Sequence, residues 1–352
     1  MQMLFDPVSI GDLKLPNRVF MAPLTRCRAD NPGRVPTALM AEYYAQRAGA
    51  GLILTEATSV DPMGVGYART PGIWSSEQVE GWRAITRAVH ERGGHIFLQL
   101  WHVGRISDPV YLNGAQPVAP SAIAAEGFVN EARPRRPYPV PRALERSEIP
   151  GVVAAFRRGA ENAQRAGFDG VEIHGANGYL LDQFLQDSSN TRTDDYGGSI
   201  QNRARLMLEV ADACASVWGS ARVGMHLAPR GDAHSMGDSH RVETFSYVAS
   251  ELGRRKLGFL CVREKVGPDR LGPALKRAFG GVYVANEEMT GAVAAQLISE
   301  GEADAVAFGR AFIANPDLPR RLREGAELNA PRPELFYAPG PAGYTDYAPM
   351  GS

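Results

Sequence analysis

Apolar runs and amphipathic helical patterns take strict turns along this chain. The runs cover residues 18–24, 51–60, 95–101, 168–174, 222–229, 257–264, 281–286 and 303–309. Helical patterns fill the intervals at 37–50, 76–92, 148–166, 201–218, 243–255, 271–279 and 290–300, and a last one follows at 317–324. Strict alternation of this kind means parallel strands joined by right-handed crossovers. The expected class is therefore α/β, and eight such units are what a closed (β/α)₈ barrel requires. An open doubly wound sheet is the alternative, but it usually has fewer strands. A plain barrel needs ~250 residues, so roughly 100 of the rest belong to loops and tails. The expectation is one barrel domain over residues 1–352.

Two stretches break the alternation. Residues 107–146 follow the third run and include Arg133-Pro134-Arg135-Arg136-Pro137-Tyr138-Pro139. This proline-stiffened loop reads either as a solvated basic insertion or as a lid over the C-terminal face, where barrels keep their sites. The segment 330–352 is rich in Pro and Gly, yet carries Phe336, Tyr337, Tyr344 and Tyr347. Aromatic residues on an irregular tail favour docking over free disorder.

The formal net charge of −1 gives no electrostatic reason to expect nucleic acid or an anionic membrane. No apolar run approaches the ~20 residues of a transmembrane helix. The first residues lack the pattern of a signal peptide. Cys27, Cys214 and Cys261 are scattered and fit neither a disulfide framework nor a zinc or iron–sulfur spacing. These features together predict a cytoplasmic protein acting on a small molecule, as a monomer or a homodimer, with no metal.

The fourth run points to chemistry. It ends Val171-Glu172-Ile173-His174-Gly175-Ala176-Asn177-Gly178-Tyr179. His174 and Asn177 can donate hydrogen bonds to one oxygen, and Tyr179 can deliver a proton nearby. Such a set suits a reaction in which negative charge builds on a carbonyl oxygen and a carbon then takes a proton. Any one of the three alone reads as a strand-to-helix turn. Three at one strand end favour a site.

In a barrel every strand end faces the same mouth. The other ends offer Pro23, Thr25 and Arg26, then Glu56 and Ala57, then Gln99, Trp101 and His102, then His226, Asn286, Gly309 and Arg310. Polar groups inside apolar runs, such as Gln99, Thr25 and His226, are costly without partners, and a polar cofactor would supply several at once. Gly309 and Arg310 suit a phosphate beyond the eighth strand. Glu287 and Glu288 count against the seventh loop as an anion cradle and must turn away from it.

In these segments the chain resembles the Old Yellow Enzyme family of FMN-dependent ene-reductases. The resemblance runs through Phe20-Met21-Ala22-Pro23-Leu24-Thr25-Arg26, Gln99-Leu100-Trp101-His102 and His174 to Leu185. It continues through Asp195-Tyr196-Gly197-Gly198-Ser199, Phe308-Gly309-Arg310 and Gly343-Tyr344-Thr345-Asp346-Tyr347. The resemblance implies FMN as cofactor, NADPH or NADH as electron donor, and an activated alkene as acceptor: an enone, maleimide or nitroalkene, or a nitrate ester in its place. It implies that His174 and Asn177 hold the acceptor's oxygen and that Tyr179 is the acid. It places Pro23, Thr25, Ala57, Gln99, His226, Asn286, Gly309 and Arg310 around the cofactor, and Trp101 and Tyr344 on the walls of the acceptor pocket. Threonine at position 25, with the cysteine two residues later, favours the N-ethylmaleimide-reductase-like branch. The basic loop and Arg142 could favour the extra phosphate of NADPH.

The resemblance fails at one position. The family usually ends its fifth strand in arginine, and here that residue is His226. Arginine stays charged where histidine titrates near ~6.5. The expectation is a weaker hold on the reduced cofactor, seen as lower affinity, lower potential or a pH-dependent reduction. Arg222 should lie at the opposite barrel end, whereas Arg230 could reach back. His234 and His240 lie in the next loop without the carboxylate pattern of a metal site. Two other readings stay open: a flavin-binding barrel with impaired turnover, and a redox-neutral isomerase.

Overall fold

Each apolar run contains a parallel strand, and the pairing continues around a ring. The structure is a computed structural model and describes residues 1–130 and 134–351. Arg133 and Ser352 lie outside the described residues. The barrel strands are β1 (Val19–Met21), β2 (Ile53–Leu54), β3 (Ile96–Trp101), β4 (Gly170–His174), β5 (Val223–Leu227), β6 (Phe259–Arg263), β7 (Val282–Asn286) and β8 (Ala305–Phe308). Each pairs with the next, β8 pairs with β1, and the eight close into a (β/α)₈ barrel. Thr58–Ser59 continues the β2 run and pairs with the end of β3.

Helices α1 (Ala38–Gln46), α2 (Ser76–His90), α3 (Ile149–Arg165), α4 (Ile200–Trp218), α5 (Arg241–Arg254), α6 (Gly272–Phe279), α7 (Gly291–Ser299) and α8 (Leu318–Glu324) follow the strands in turn. Local chemistry sets their starts. Thr37, Ser75, Ser199 and Thr290 each accept a backbone N–H of the first turn, a cap worth ~1 kcal/mol. At α2, Gln78 returns the favour by accepting from the Ser75 N–H at 3.1 Å.

Strand residues alternate between two environments. Val171, Ile173, Val223, Met225 and Leu227 face outward and are buried beneath the helices. The inward residues form storeys. The lowest is apolar, with the Phe97 and Phe259 rings 6.0 Å apart. Glycines make room for them: a Cβ at Gly224 would fall 2.1 Å from the Phe259 ring, and one at Gly170 would fall 2.4 Å from Phe97. A hairpin of Val8–Ile10 and Leu13–Leu15 plugs this end, burying Ile10 and Leu15 with Phe20 and Phe97. Arg222 also lies here, donating to Asp12 at 2.9 Å.

The long segment after β3 is tied to the opposite mouth. Val118–Ala119 pairs with Arg142–Ala143, while Val129 and Tyr138 pack in a cluster with Trp101. Arg136 pairs with Asp108 and Arg142 with Glu148 at 2.7 Å, so both guanidinium groups are engaged by carboxylates. The tail docks through its backbone. Arg26 donates to the carbonyls of Phe336 and Gly343 at 3.1 and 2.7 Å, and Arg28 to that of Phe336 at 2.7 Å. No helix among the described residues is long and apolar enough to cross a membrane.

Candidate active site

The strand ends enclose a cavity of about 410 Å³ at the C-terminal mouth. Its lining includes Pro23, Thr25, Ala57, Gln99, Trp101, His174, Asn177, Tyr179, His226, Asn286, Gly309 and Arg310. Tyr344, expected on the acceptor wall, is not part of it. It is fully buried beneath the tail, stacked on Tyr43 at 4.0 Å with the Arg26 and Arg28 guanidinium groups over its ring. The tail brings Phe336 and Tyr337 to the cavity instead. Arg230 does not reach back either; it pairs with Asp269 at 2.9 Å.

One wall is built on the turn after β4. Asn177 and Gly178 take positive φ values of 59° and 76°, which an asparagine and a glycine accept readily. The Asp182 carboxyl fixes the turn by accepting the Gly178 N–H at 2.8 Å, and burial pushes its pKa up to about 7. His234 Nδ1 donates to the Asn177 carbonyl at 2.8 Å. His174 Nδ1 accepts from the Ala176 N–H at 3.4 Å, which leaves Nε2 as the N–H of the ring. Burial, then the neighbouring His226 and Arg263, hold the His174 pKa well below its usual range, so the ring is a neutral donor.

Tyr179 completes this wall. Its ring stands edge-on to Trp101 and to His174, with centroids 5.0 Å away in both cases. Its hydroxyl shares a 2.9 Å hydrogen bond with Tyr67, which in turn bonds Tyr138. Burial raises the Tyr179 pKa far above neutrality, so the phenol keeps its proton.

The floor is the middle storey of the barrel. Gln99 Nε2 donates to Glu172 Oε2 at 2.8 Å and lies 3.4 Å from His226 Nδ1. Glu172 Oε1 stands 3.5 Å from His226 Nδ1, at the limit of a hydrogen bond. Glu172 Oε1 and His226 Nε2 are buried with no hydrogen-bond partner among the described residues. Buried polar atoms left this way cost ~1–3 kcal/mol each. The Cys261 thiol lies beside them, its pKa pushed well up by burial and by Glu172.

At the far edge, the helical turn Arg310–Ala314 follows Gly309, with Arg310 exposed at the rim. Glu287 and Glu288 line the cavity, but their carboxylates engage Arg263 at 3.0 Å and Lys265 at 2.9 Å.

Sequence reasoning missed Arg263, Glu172, Tyr67, Phe336 and Tyr337. Strand periodicity could have found the first two, since Glu172 shares a face with His174, and Arg263 with Phe259 and Cys261. Tyr67 sits in a loop with no pattern to expose it.

Comparison with known proteins gives a consistent result. Residues 3–329 match the NADH:flavin oxidoreductase / NADH oxidase family. A probable flavin mononucleotide-dependent alkene reductase of Leishmania infantum is 43% identical over 98% of this chain and 96% of its own. Morphinone reductase, solved in complex with tetrahydroNAD, superposes with a TM-score of 0.94 at 48% identity, covering 99% of this chain and 97% of that one. The old yellow enzyme homologue from Zymomonas mobilis gives 0.95 at 45% identity, covering 98% and 99%.

Proposed function

Because this chain belongs to the NADH:flavin oxidoreductase / NADH oxidase family, and so is an FMN-dependent oxidoreductase of the Old Yellow Enzyme group drawing on a nicotinamide, we propose that it reduces carbon–carbon double bonds activated by a carbonyl, imide or nitro group. The observation that carries this reading is the wall: a neutral His174 N–H and the Asn177 amide stand on one turn, with the protonated Tyr179 beside them.

The residues fit the cofactor. The isoalloxazine ring is flat and has an amide-like edge. The floor offers Gln99 and the unpartnered His226 Nε2 to such an edge, while Pro23 and Ala57 offer small apolar surface. Thr25 would bond the ring from the loop that follows β1, and Asn286 would close its far side. Gly309, Arg310 and the helical turn behind them would hold the phosphate. FMN supplies a two-electron carrier that takes hydride equivalents from the nicotinamide and passes them to the acceptor.

The protein supplies the rest. His174 and Asn177 donate to the acceptor's oxygen, and these bonds strengthen as negative charge moves onto it. Tyr179 then gives its hydroxyl proton to the α-carbon, and Tyr67 stays hydrogen-bonded to the phenolate that remains. Trp101, Phe336 and Tyr337 wall the space.

Purified protein should be yellow, should bleach with NADPH or NADH under anaerobic conditions, and should regain colour when 2-cyclohexenone is added. A protein that cannot be loaded with FMN, or that bleaches and never recovers with any activated alkene, refutes the proposal. His226 calls for a separate measurement. With histidine in place of arginine beside the reduced ring, the midpoint potential should lie below that of His226→Arg. Identical potentials across pH would remove that role.

A further inference from the structure

β6 ends in an arginine that faces into the barrel. Arg263 Nη1 donates to Asn177 Oδ1 at 2.8 Å, and Nη2 donates to Glu287 Oε1 at 3.0 Å. Three strand ends, those of β4, β6 and β7, thus meet in one chain of bonds. The third member is held under strain. Glu287 and Glu288 have φ values of 97° and 53°, a backbone conformation that costs non-glycine residues ~1–3 kcal/mol each. That bend turns Glu287 onto Arg263 and Glu288 onto Lys265. Strain of this kind persists where the surroundings over-determine it, and the Arg263–Glu287 ion pair is part of those surroundings.

The chemistry of the contact fixes a direction. A guanidinium has donors only, whereas a carboxamide has an acceptor at one tip and two donors at the other. Asn177 must therefore present its oxygen to Arg263 and its NH₂ away from it. A flipped amide would set two donors against the guanidinium and leave a charge-assisted bond unmade. The backbone of Asn177 is held as well, by His234 on its carbonyl. The amide has one orientation left.

We propose that Arg263, braced by Glu287, is a positioning residue for the oxygen-binding pair: it sets Asn177 with its NH₂ toward the acceptor's oxygen and polarises that N–H as charge develops there. The inference rests on the alkene-reductase reading of the site.

The test uses the FMN-loaded enzyme and four variants: Arg263→Met, Arg263→Lys, Asn177→Ala, and Arg263→Met combined with Asn177→Ala. Binding of cyclohexanone, a saturated ketone that cannot turn over, is read from the cofactor's absorbance. Reoxidation by 2-cyclohexenone is read by stopped flow. Arg263→Met should weaken ketone binding and slow reoxidation by about tenfold each, the scale of one hydrogen bond to a charged group. Lysine keeps a charge and a donor, so Arg263→Lys should recover most of the loss. In the Asn177→Ala background, Arg263→Met should have no further effect, and the midpoint potential of the cofactor should match wild type throughout.

Equal losses from Arg263→Met with and without Asn177 would overturn the proposal, because a merely structural arginine behaves that way. So would no loss at all. If Arg263→Met fails to fold, Glu287→Gln takes its place: freeing the arginine should weaken ketone binding about threefold, near the low end for an ordinary hydrogen bond, and unchanged binding overturns the proposal. A wild type that neither binds cyclohexanone nor reduces 2-cyclohexenone sinks the functional reading itself. A wild type that does both, with an unaffected Arg263→Met, sinks only the role of Arg263.

Discussion

The lowest storey of the barrel and the one above it hang on the same strands, two residues apart. Gly170 becomes Glu172, Phe97 becomes Gln99, Gly224 becomes His226 and Phe259 becomes Cys261. Below, aromatic rings fill space left by glycines, and a hairpin seals the end. Above, a carboxylate, an amide and an imidazole are buried with two atoms unpartnered among the described residues. The lower storey is complete by itself and contributes stability. The upper storey is unfinished and costs stability until a ligand supplies its bonds. A single step of strand pitch separates the part that keeps the barrel folded from the part that makes it bind.

Four measurements can break or sharpen this contrast. Tyr179→Phe, above both storeys, should slow reoxidation by an alkene about 10³-fold, the middle of the range for a lost general acid. Bleaching by the nicotinamide and urea stability should stay near wild type; a comparable loss in both half-reactions would mean Tyr179 positions ligands instead of donating a proton. Phe259→Ala, in the lower storey, should cost about 3 kcal/mol in urea unfolding, with cofactor affinity unchanged in the folded enzyme. A variant that loses the cofactor at the same time would show that the storeys are not separable. His226→Leu, in the upper storey, should raise the dissociation constant for FMN about tenfold, the scale of one hydrogen bond. Equilibrium dialysis decides it, and unchanged affinity would mean that the unpartnered nitrogen never meets the cofactor. Tyr67→Phe removes the hydroxyl next to Tyr179 and should slow reoxidation about threefold, near one modest hydrogen bond. No change at all would show that Tyr179 acts without its neighbour.

The sequence carried the barrel because its signal is repeated: every unit shows a buried run and an amphipathic helix, so errors in one are corrected by the rest. The N-terminal hairpin escaped because Val8–Ile10 and Leu13–Leu15 are too short to show a period. His174, Asn177 and Tyr179 were legible because they lie in one turn. Arg263 and Glu287 were not, because an arginine after an apolar run looks like a solvated strand end until its strand is placed beside Asn177. Tyr344 was placed on the acceptor wall by resemblance alone. An aromatic residue on an irregular tail announces docking but not direction, and its partner, Tyr43, lies some three hundred residues earlier in the chain.

That tail is moored by its main chain. Arg26, Arg28 and Arg47 grip carbonyl oxygens of Leu335, Phe336, Gly340, Ala342, Gly343 and Tyr344, and every amino acid brings a carbonyl. The anchorage is therefore indifferent to most of the side chains it holds in place. Tyr337, whose side chain is largely exposed, can be exchanged without slipping the mooring, so the shape of the cavity's rim can be retuned there while its position stays fixed. For anyone who wants to reshape the cavity, that position is an interchangeable fitting on a permanent mount.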